Sequence, residues 1–237
     1  MNRIRVLQRP EYREANADFS GRANRIDGNP VYHAEWKIEA VSLRRWSVAG
    51  TAFGLTSIQR RQSTMPEPQL ELIPAFLDQA TELFTLLREQ VVWDERMKAR
   101  KTASFGVAYN YSGITYPWTV MLPALEPVCE RIAEEIGFLP NNCLLNYYAD
   151  GRSTMGYHSD STEELQVGTG VVIVSLGATR AISFRSRQDP KEKYSYDLQN
   201  GDLLYMRNEI QDDWQHAIPR DADAGPRISL TFREIAD

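Results

Sequence analysis

The second half of the chain is divided into short β-prone runs, and this pattern restricts the fold more than any other feature. Turn residues such as Asp150-Gly151 and Asn200-Gly201 separate the runs. After Pro140 we predict eight strands, at residues 143–148, 156–160, 170–176, 180–185, 193–198, 202–206, 214–218 and 227–233. Eight short strands in about ninety residues are typical of a jelly roll, which can hold a ligand between its two sheets.

Two amphipathic segments upstream predict helices that pack against this β core. The first begins at Pro74, and its apolar residues recur at spacings of three and four: Phe76, Ala80, Leu83, Phe84 and Leu87. The second is predicted over 123–136, with Gly137 as its cap. Between them, 102–118 is rich in Tyr, Gly and Ser and indicates strands and turns. We therefore predict an α+β, mainly β fold: a double-stranded β-helix (jelly roll) core buttressed by two or more N-terminal helices.

A change in net charge and in hydrophobic periodicity predicts a domain border near Met65. Residues 1–64 lack a sustained period and carry 11 Lys and Arg against 6 Asp and Glu, whereas residues 65–237 carry 16 against 26. The basic extension is either a solvated tail or an arm for nucleic acid. The acidic body weighs against tight duplex binding by residues 65–237 alone.

Several classes of protein do not fit the composition. No apolar run approaches the roughly 18 residues of a membrane span, and no apolar segment follows the N-terminal residues as in a signal peptide. Cys129 and Cys143 do not form a CxxC motif, which disfavours a disulfide framework. We expect a cytoplasmic monomer with no obligate protein partner and no membrane contact.

A histidine and a carboxylate lie one residue apart in Tyr157-His158-Ser159-Asp160. Side chains alternate along a strand, so His158 and Asp160 are expected on one face as a two-point metal clamp. Of the remaining histidines, His33 lies in a segment of different character and His216 ends another predicted strand. Two histidines and one carboxylate would form the facial triad of non-haem iron(II), which leaves three coordination positions open.

The last predicted strand alternates strictly between apolar and polar residues. Ile228, Leu230 and Phe232 take one face, which leaves Arg227, Ser229, Thr231 and Arg233 on the other. Guanidinium groups bind carboxylates through paired hydrogen bonds, so the two arginines could bind a small dicarboxylate. The alternative is an edge strand with a solvated polar face. Asn146 and Tyr148 share a face of another strand and could donate to the same ligand.

This order of motifs, from Asn146-x-Tyr148 through His158-x-Asp160 and His216 to Arg227 and Arg233, resembles the AlkB-like family of iron(II) and 2-oxoglutarate-dependent dioxygenases. The likeness covers residues 70–235 and would make 65–237 a dioxygenase domain. It implies that His158, Asp160 and His216 hold iron. It also implies that Arg227, Asn146 and Tyr148 bind 2-oxoglutarate, with Arg233 near its iron-chelating end or the substrate.

The resemblance also implies a reaction. 2-Oxoglutarate and O2 would be consumed to succinate and CO2 while a substrate C–H bond is oxidised, and a hydroxylated N-methyl group collapses to formaldehyde and the free amine. In nucleic-acid-repairing members a flipped base lies between an aromatic ring and the first histidine. Tyr111 would be that ring, with Tyr109, Tyr116 and Trp118 nearby. These aromatic side chains could equally pack a β-hairpin.

The likeness departs just after the metal pair. Repair enzymes of the family carry an acidic residue there that contacts the base, whereas Ser161 and Thr162 occupy those positions here and would face the substrate. The leading hypothesis is oxidative demethylation of N-alkylated bases in DNA or RNA, with single strands favoured. The alternative keeps the chemistry but acts on a small molecule or a protein side chain. A remote third is a non-catalytic nucleic-acid-binding module.

Overall fold

The computed structural model describes residues 5–6, 67–111 and 113–236. Apart from Arg5 and Val6, the predicted N-terminal extension 1–64 lies outside the described residues, as do His33 and the proposed border at Met65. No helix in the described ranges is long and apolar enough to cross a membrane.

Thirteen strands and three α-helices make up the described residues. In chain order they are β1 (Arg5–Val6), β2 (Leu70–Ile73), α1 (Ala80–Gln90), β3 (Lys101–Gly106), β4 (Tyr109–Tyr111), β5 (Ile114–Tyr116), α2 (Glu126–Ile136), β6 (Asn142–Tyr148), β7 (Met155–His158), β8 (Gly170–Gly177), β9 (Arg180–Ser186), β10 (Lys193–Leu198), β11 (Leu203–Arg207), α3 (Ile210–Asp213), β12 (Trp214–Ile218) and β13 (Arg227–Arg233).

The strands form two facing sheets and a small hairpin. The major sheet has the order β1-β2-β11-β8-β13-β6-β3, the minor sheet β10-β9-β12-β7, and β4 pairs with β5. The minor sheet is antiparallel throughout, and so is the major sheet apart from the parallel pair β1 and β2. Two facing sheets with helices on one side confirm the predicted mainly β jelly roll.

Two apolar layers cover the two faces of the major sheet. On one face, residues such as Leu145, Val174 and Leu230 pack with apolar side chains of α1 and α2. On the other face, Leu144 and Ile173 pack with Phe184 and other inward-facing residues of the minor sheet. The central strands β8, β13 and β6 are consequently buried on both faces.

The first helix begins later than predicted. Residues 74–79 precede α1 because their backbone is held by the turn before β11. The N–H of Ala75 donates to Asp202 Oδ1 (2.9 Å), and the N–H of Leu77 donates to the carbonyl of Gly201 (3.0 Å). The apolar spacing from Phe76 therefore spans a docked turn followed by a helix.

The second helix agrees with the prediction. A 3-10 turn at Pro123–Leu125 leads directly into α2. Gly137 ends the helix in the left-handed conformation, with φ 96°, and its N–H donates to the carbonyl of Ala133. Glycine adopts this conformation without the steric cost that a Cβ would add, so its position as the cap is confirmed.

Candidate metal centre and cosubstrate cavity

Two histidines meet across the minor sheet. His158 at the end of β7 and His216 in β12 are register partners, and their ring centroids lie 4.3 Å apart. His216 is buried, whereas the side chain of His158 is 25% exposed. Nδ1 of His158 lies 3.0 Å from the carbonyl oxygen of Gly156. A proton on Nδ1 that is donated there leaves Nε2 free as a ligand atom.

The carboxylate of Asp160 lies beside both histidines, but the strand that was predicted to position it does not extend to Asp160. The strand β7 ends at His158, so Asp160 does not share a strand face with it. Instead, the backbone N–H of Asp160 donates to Gln211 Oε1 (2.9 Å), next to β12. This anchor places the carboxylate 3.7 Å from His158 Nε2 and 3.8 Å from His216 Nε2.

The donor set suits a divalent metal ion. One ligand atom from each of His158, Asp160 and His216 lies within 4.8 Å of the other two, and no other cluster of this kind occurs among the described residues. Asp160 Oδ2 is buried without a hydrogen-bond partner, which is costly unless a cation binds there. Two histidines and one carboxylate are the ligand set of non-haem iron(II) oxygenases.

Burial and charge keep Asp160 and His216 in the protonation states that bind metals. Burial, the largest single influence, raises the pKa of Asp160, but Arg233, His216 and His158 together outweigh burial, and the pKa lies below its usual value. Arg233 Nη2 donates to Asp160 Oδ1 at 3.1 Å. Burial lowers the pKa of His216 to about 4, so its imidazole is neutral at physiological pH. Metal ligands must be deprotonated, and both groups satisfy this requirement.

Arg233 also packs against the hairpin of β4 and β5. Its guanidinium carbon lies 4.6 Å from the centroid of the Tyr109 ring. The hydrogen bond to Asp160 places Arg233 at the metal end of the cavity. Tyr109 itself is only 3% exposed, and burial is the main cause of its raised pKa.

A second arginine lies at the other end of β13. Arg227 is fully buried, and its Nε donates to Ser175 Oγ (2.8 Å), while Nη1 has no partner among the described residues. Its guanidinium lies 5.3 Å from the ring centroid of Tyr148, whose buried hydroxyl is also unpartnered in this part of the chain. Two unused donors beside each other suit a carboxylate ligand.

A narrow cavity lies between the sheets and includes the cluster of His158, Asp160 and His216. It is lined by Asn146 and Tyr148 of β6, by Ser229, Thr231 and Arg233 of β13, and by Tyr111 of the hairpin. The polar face of β13 is therefore turned inward, and the alternative of an edge strand with a solvated face is wrong.

Of the predicted substrate residues, one lines the cavity, two are buried in other contacts, and three are exposed or partly exposed outside the cavity. Tyr111 lines the cavity together with His158, while Tyr109 is packed on Arg233. Tyr116 is buried and its hydroxyl lies 2.6 Å from Thr102 Oγ1. Trp118 is 65% exposed and lines a different surface groove. Ser161 is exposed and Thr162 partly exposed, directly after Asp160, but neither lines the cavity.

Arg100 is a site residue that sequence reasoning missed. Its Nε donates to Asn146 Oδ1 (2.8 Å) and its Nη2 donates to the hydroxyl of Tyr111 (2.7 Å). Arg100 is one of several basic residues in the segment before β3, with Lys98 and Lys101 on either side. Nothing in that charged segment distinguishes Arg100, which contacts Asn146 and Tyr111, from the basic residues beside it.

Comparison with known proteins gives one consistent result. Residues 66–233 match the model of the 2OG-Fe(II) oxygenase superfamily. The alpha-ketoglutarate-dependent dioxygenase alkB homolog 3 of Mus musculus is 35% identical over 188 residues, which cover 69% of this chain and 65% of that relative. The chain therefore spans slightly less than two thirds of that relative's length.

A second relative and a solved structure are also similar to this chain. The DNA oxidative demethylase ALKBH2 of Mus musculus is 36% identical over 172 residues, which cover 67% of this chain and 72% of the relative. A solved structure described as "The structure of OsALKBH1" superposes with a TM-score of 0.50 at 18% identity, covering 72% of this chain and all of that one, which supports the fold. The chain belongs to the AlkB-like group of the 2OG-Fe(II) oxygenase superfamily, whose cofactor is iron(II) and whose cosubstrates are 2-oxoglutarate and O2.

Proposed function

We propose that this protein is an oxidative demethylase of N-alkylated bases in DNA or RNA, with single strands favoured as substrates. The observation that carries the proposal is the aromatic hairpin beside the metal cluster: Tyr111 and His158 line one cavity. A flipped base needs an aromatic or apolar surface on which to stack beside the reacting centre. The relatives named as DNA oxidative demethylases add support.

In this proposal His158, Asp160 and His216 hold the iron. Arg227 and Tyr148 bind the distal carboxylate of 2-oxoglutarate through their unpartnered donors, and Asn146 contributes a further hydrogen bond. Arg233 fixes the Asp160 carboxylate and adds positive charge at the metal end of the cosubstrate.

Bound iron, together with 2-oxoglutarate and O2, supplies oxidation of a C–H bond coupled to decarboxylation of the cosubstrate to succinate and CO2. The protein's own contribution is position and exclusion of water. The inter-sheet layer around Leu144, Ile173 and Ile182 walls the cavity with apolar side chains. His158, which is partly exposed, marks the side from which a base could enter.

The test is a formaldehyde-release assay on methylated single-stranded DNA, duplex DNA, RNA and free nucleosides. Succinate is measured in parallel, because succinate without formaldehyde reports turnover uncoupled from substrate. We expect coupled formaldehyde on single strands. His158→Ala and Asp160→Ala should each abolish iron-dependent succinate formation, and turnover at the parental rate in either variant would refute the assignment of the ligands.

A small molecule or a protein side chain is the second candidate substrate. The observation in its favour is the pair Ser161 and Thr162, which place no carboxylate directly after Asp160 to meet the amino group of a base. The net negative charge of residues 65–237 points the same way. Succinate formation that is coupled to formaldehyde on none of the nucleic acids would favour this candidate. No iron-dependent succinate at all would favour the non-catalytic module.

The basic extension is tested in the same assay. Deleting residues 1–64 should weaken the use of nucleic acid, most strongly at moderate salt, if the extension contributes phosphate contacts. Equal activity of both proteins at every salt concentration would show that it does not deliver the substrate. The cytoplasmic location and the monomeric state stay predictions.

A further inference from the structure

Arg100 connects two parts of the cavity wall that belong to different elements. It lies directly before β3 and is partly buried. Its Nε donates to Asn146 Oδ1 of β6 at 2.8 Å, and its Nη2 donates to the Tyr111 hydroxyl of the hairpin at 2.7 Å. Its Nη1 lies 3.5 Å from the carbonyl of Thr154, which precedes β7. One side chain thus joins the cosubstrate wall to the hairpin.

The chemistry of guanidinium fixes the orientation of both partners. Arginine has five donors and no acceptor, so the oxygen of the Asn146 amide must face Arg100. The amide nitrogen is then the group left to donate to an oxygen of a ligand in the cavity. The Tyr111 oxygen accepts from Arg100, and the Tyr111 hydroxyl donates to Met155 Sδ at 3.8 Å.

We propose that Arg100 is a positioning residue that couples binding of 2-oxoglutarate at Asn146 to the placement of Tyr111 over the substrate. The inference rests on the proposed function of this cavity. A ligand that accepts from the Asn146 amide nitrogen polarises the amide and makes its oxygen a stronger acceptor. Arg100 is then held more firmly, and with it the hydroxyl of Tyr111.

A double-mutant cycle on 2-oxoglutarate affinity tests the coupling. The dissociation constant is measured by titration calorimetry on the full-length protein loaded with Mn(II) in the absence of O2, for Arg100→Met, Tyr111→Phe and the double variant. Arg100→Met should weaken binding about tenfold, because Asn146 loses a charge-assisted hydrogen bond. Tyr111→Phe should weaken it by about threefold. The double variant should match Arg100→Met.

The cycle separates coupling from direct contact, because Tyr111 and Asn146 line the same cavity. If Tyr111 touches the cosubstrate itself, the effect of Tyr111→Phe persists in the Arg100→Met background, and the coupling is refuted. The matched control is Arg96→Met, an exposed arginine four residues earlier that pairs with Asp94. It should leave the affinity unchanged. Thermal unfolding of each variant confirms that the comparison is made on folded protein.

Hydrogen exchange gives a readout that needs no catalysis. Addition of 2-oxoglutarate and Mn(II) should slow amide exchange in β4 and β5 of the parent protein, and the slowing should be absent in Arg100→Met. Equal protection of the hairpin in both proteins would overturn the proposal. Arg100→Lys should restore part of the protection, because lysine keeps the charge but cannot bond both partners in the fork geometry.

These experiments separate the failure of the coupling from that of the proposed function. If the parent does not bind 2-oxoglutarate, both fail. If it binds but the cycle is additive, only the coupling fails. If the cycle and the exchange behave as expected but no alkylated nucleic acid yields formaldehyde, the substrate assignment fails and the role of Arg100 remains.

Discussion

The two faces of β13 differ sharply in chemistry, although all seven residues of the strand are buried. One face consists of Ile228, Leu230 and Phe232 and packs in the layer beneath α1 and α2. The other carries two arginines with a serine and a threonine between them. Ser229, Thr231 and Arg233 line the space between the sheets, and Arg227 is buried beside Tyr148. One strand therefore contributes both to the apolar core and to the cavity.

The two faces have opposite effects on the metal-free fold. Burial of the apolar face stabilises it, whereas the polar face holds guanidinium groups away from water. Burial lowers the pKa of Arg227 to about 10, yet the group stays charged at neutral pH. Arg227 Nη1 and Arg233 Nε have no partner in the described part of the chain. We infer that the polar face is adapted to a ligand at the expense of stability.

Leu230→Ala should have the largest effect on the apolar face. Leu230 is 0% exposed and packs between Leu145 and Val174, so its truncation should lower the free energy of unfolding by about 2–5 kcal/mol. Denaturant unfolding of the metal-free protein measures this. Thr231→Val, which replaces a hydroxyl by a methyl group on the other face, should cost about 1 kcal/mol or less. Equal losses in the two variants would contradict the difference between the faces.

Arg227→Met should have the opposite effect to Leu230→Ala: it should weaken ligand binding without lowering the stability of the fold. 2-Oxoglutarate should bind about a hundredfold more weakly, because its carboxylate loses a buried guanidinium partner. The metal-free protein should unfold at the same or a higher denaturant concentration, because a buried charge is replaced by an apolar side chain. Arg207→Met is the control on β11, where the arginine is exposed and pairs with Glu71. It should change neither quantity.

Sequence alternation located β13 correctly but could not identify what its polar face meets. Both ends of the strand, Arg227 and Arg233, and the apolar face were predicted as observed. A polar face turned toward solvent and one turned into a cavity have the same period of two. Only the pairing of β13 between β6 and β8 shows that the strand is central.

The cluster of His158, Asp160 and His216 is predictable from the small number of histidines, and not from the alternation of side chains along a strand. Few histidines and one nearby carboxylate restricted the choice to His158, Asp160 and His216. The strand that was expected to align the first two ends at His158, and Gln211 positions Asp160 instead. Contacts of this kind join residues that are far apart in sequence, as do those of Arg100, and no local pattern encodes them.

Ser175→Ala should weaken the binding of 2-oxoglutarate less than Arg227→Met does, and unlike that variant it should also lower the stability of the fold. Ser175 Oγ accepts the hydrogen bond from Arg227 Nε, so its loss leaves a buried donor unsatisfied. We expect the free energy of unfolding to fall by about 1–3 kcal/mol and 2-oxoglutarate to bind several-fold more weakly. Adding Arg227→Met should abolish the cost in stability, because no donor is then left without a partner. A cost that persists in the double variant would mean that Ser175 acts through something other than Arg227.

The smallest expected effect concerns the two cysteines, which belong to the apolar side. Cys143 pairs with Phe232 in the sheet, and Cys129 lies on α2 in the same layer. Burial raises the pKa of Cys129 to about 11 and that of Cys143 well above its usual value. About one Cys129 thiol in a thousand is therefore ionised at pH 8, and the thiolate is the reactive form.

A thiol-reactive aromatic disulfide should modify neither cysteine in the folded parent within minutes, but both after unfolding. Leu230→Ala should speed the reaction because it makes opening of this layer easier, whereas Arg227→Met should not. Rapid modification of the folded parent would show that the apolar face is open to solvent, contrary to its assignment as the stabilising face of β13.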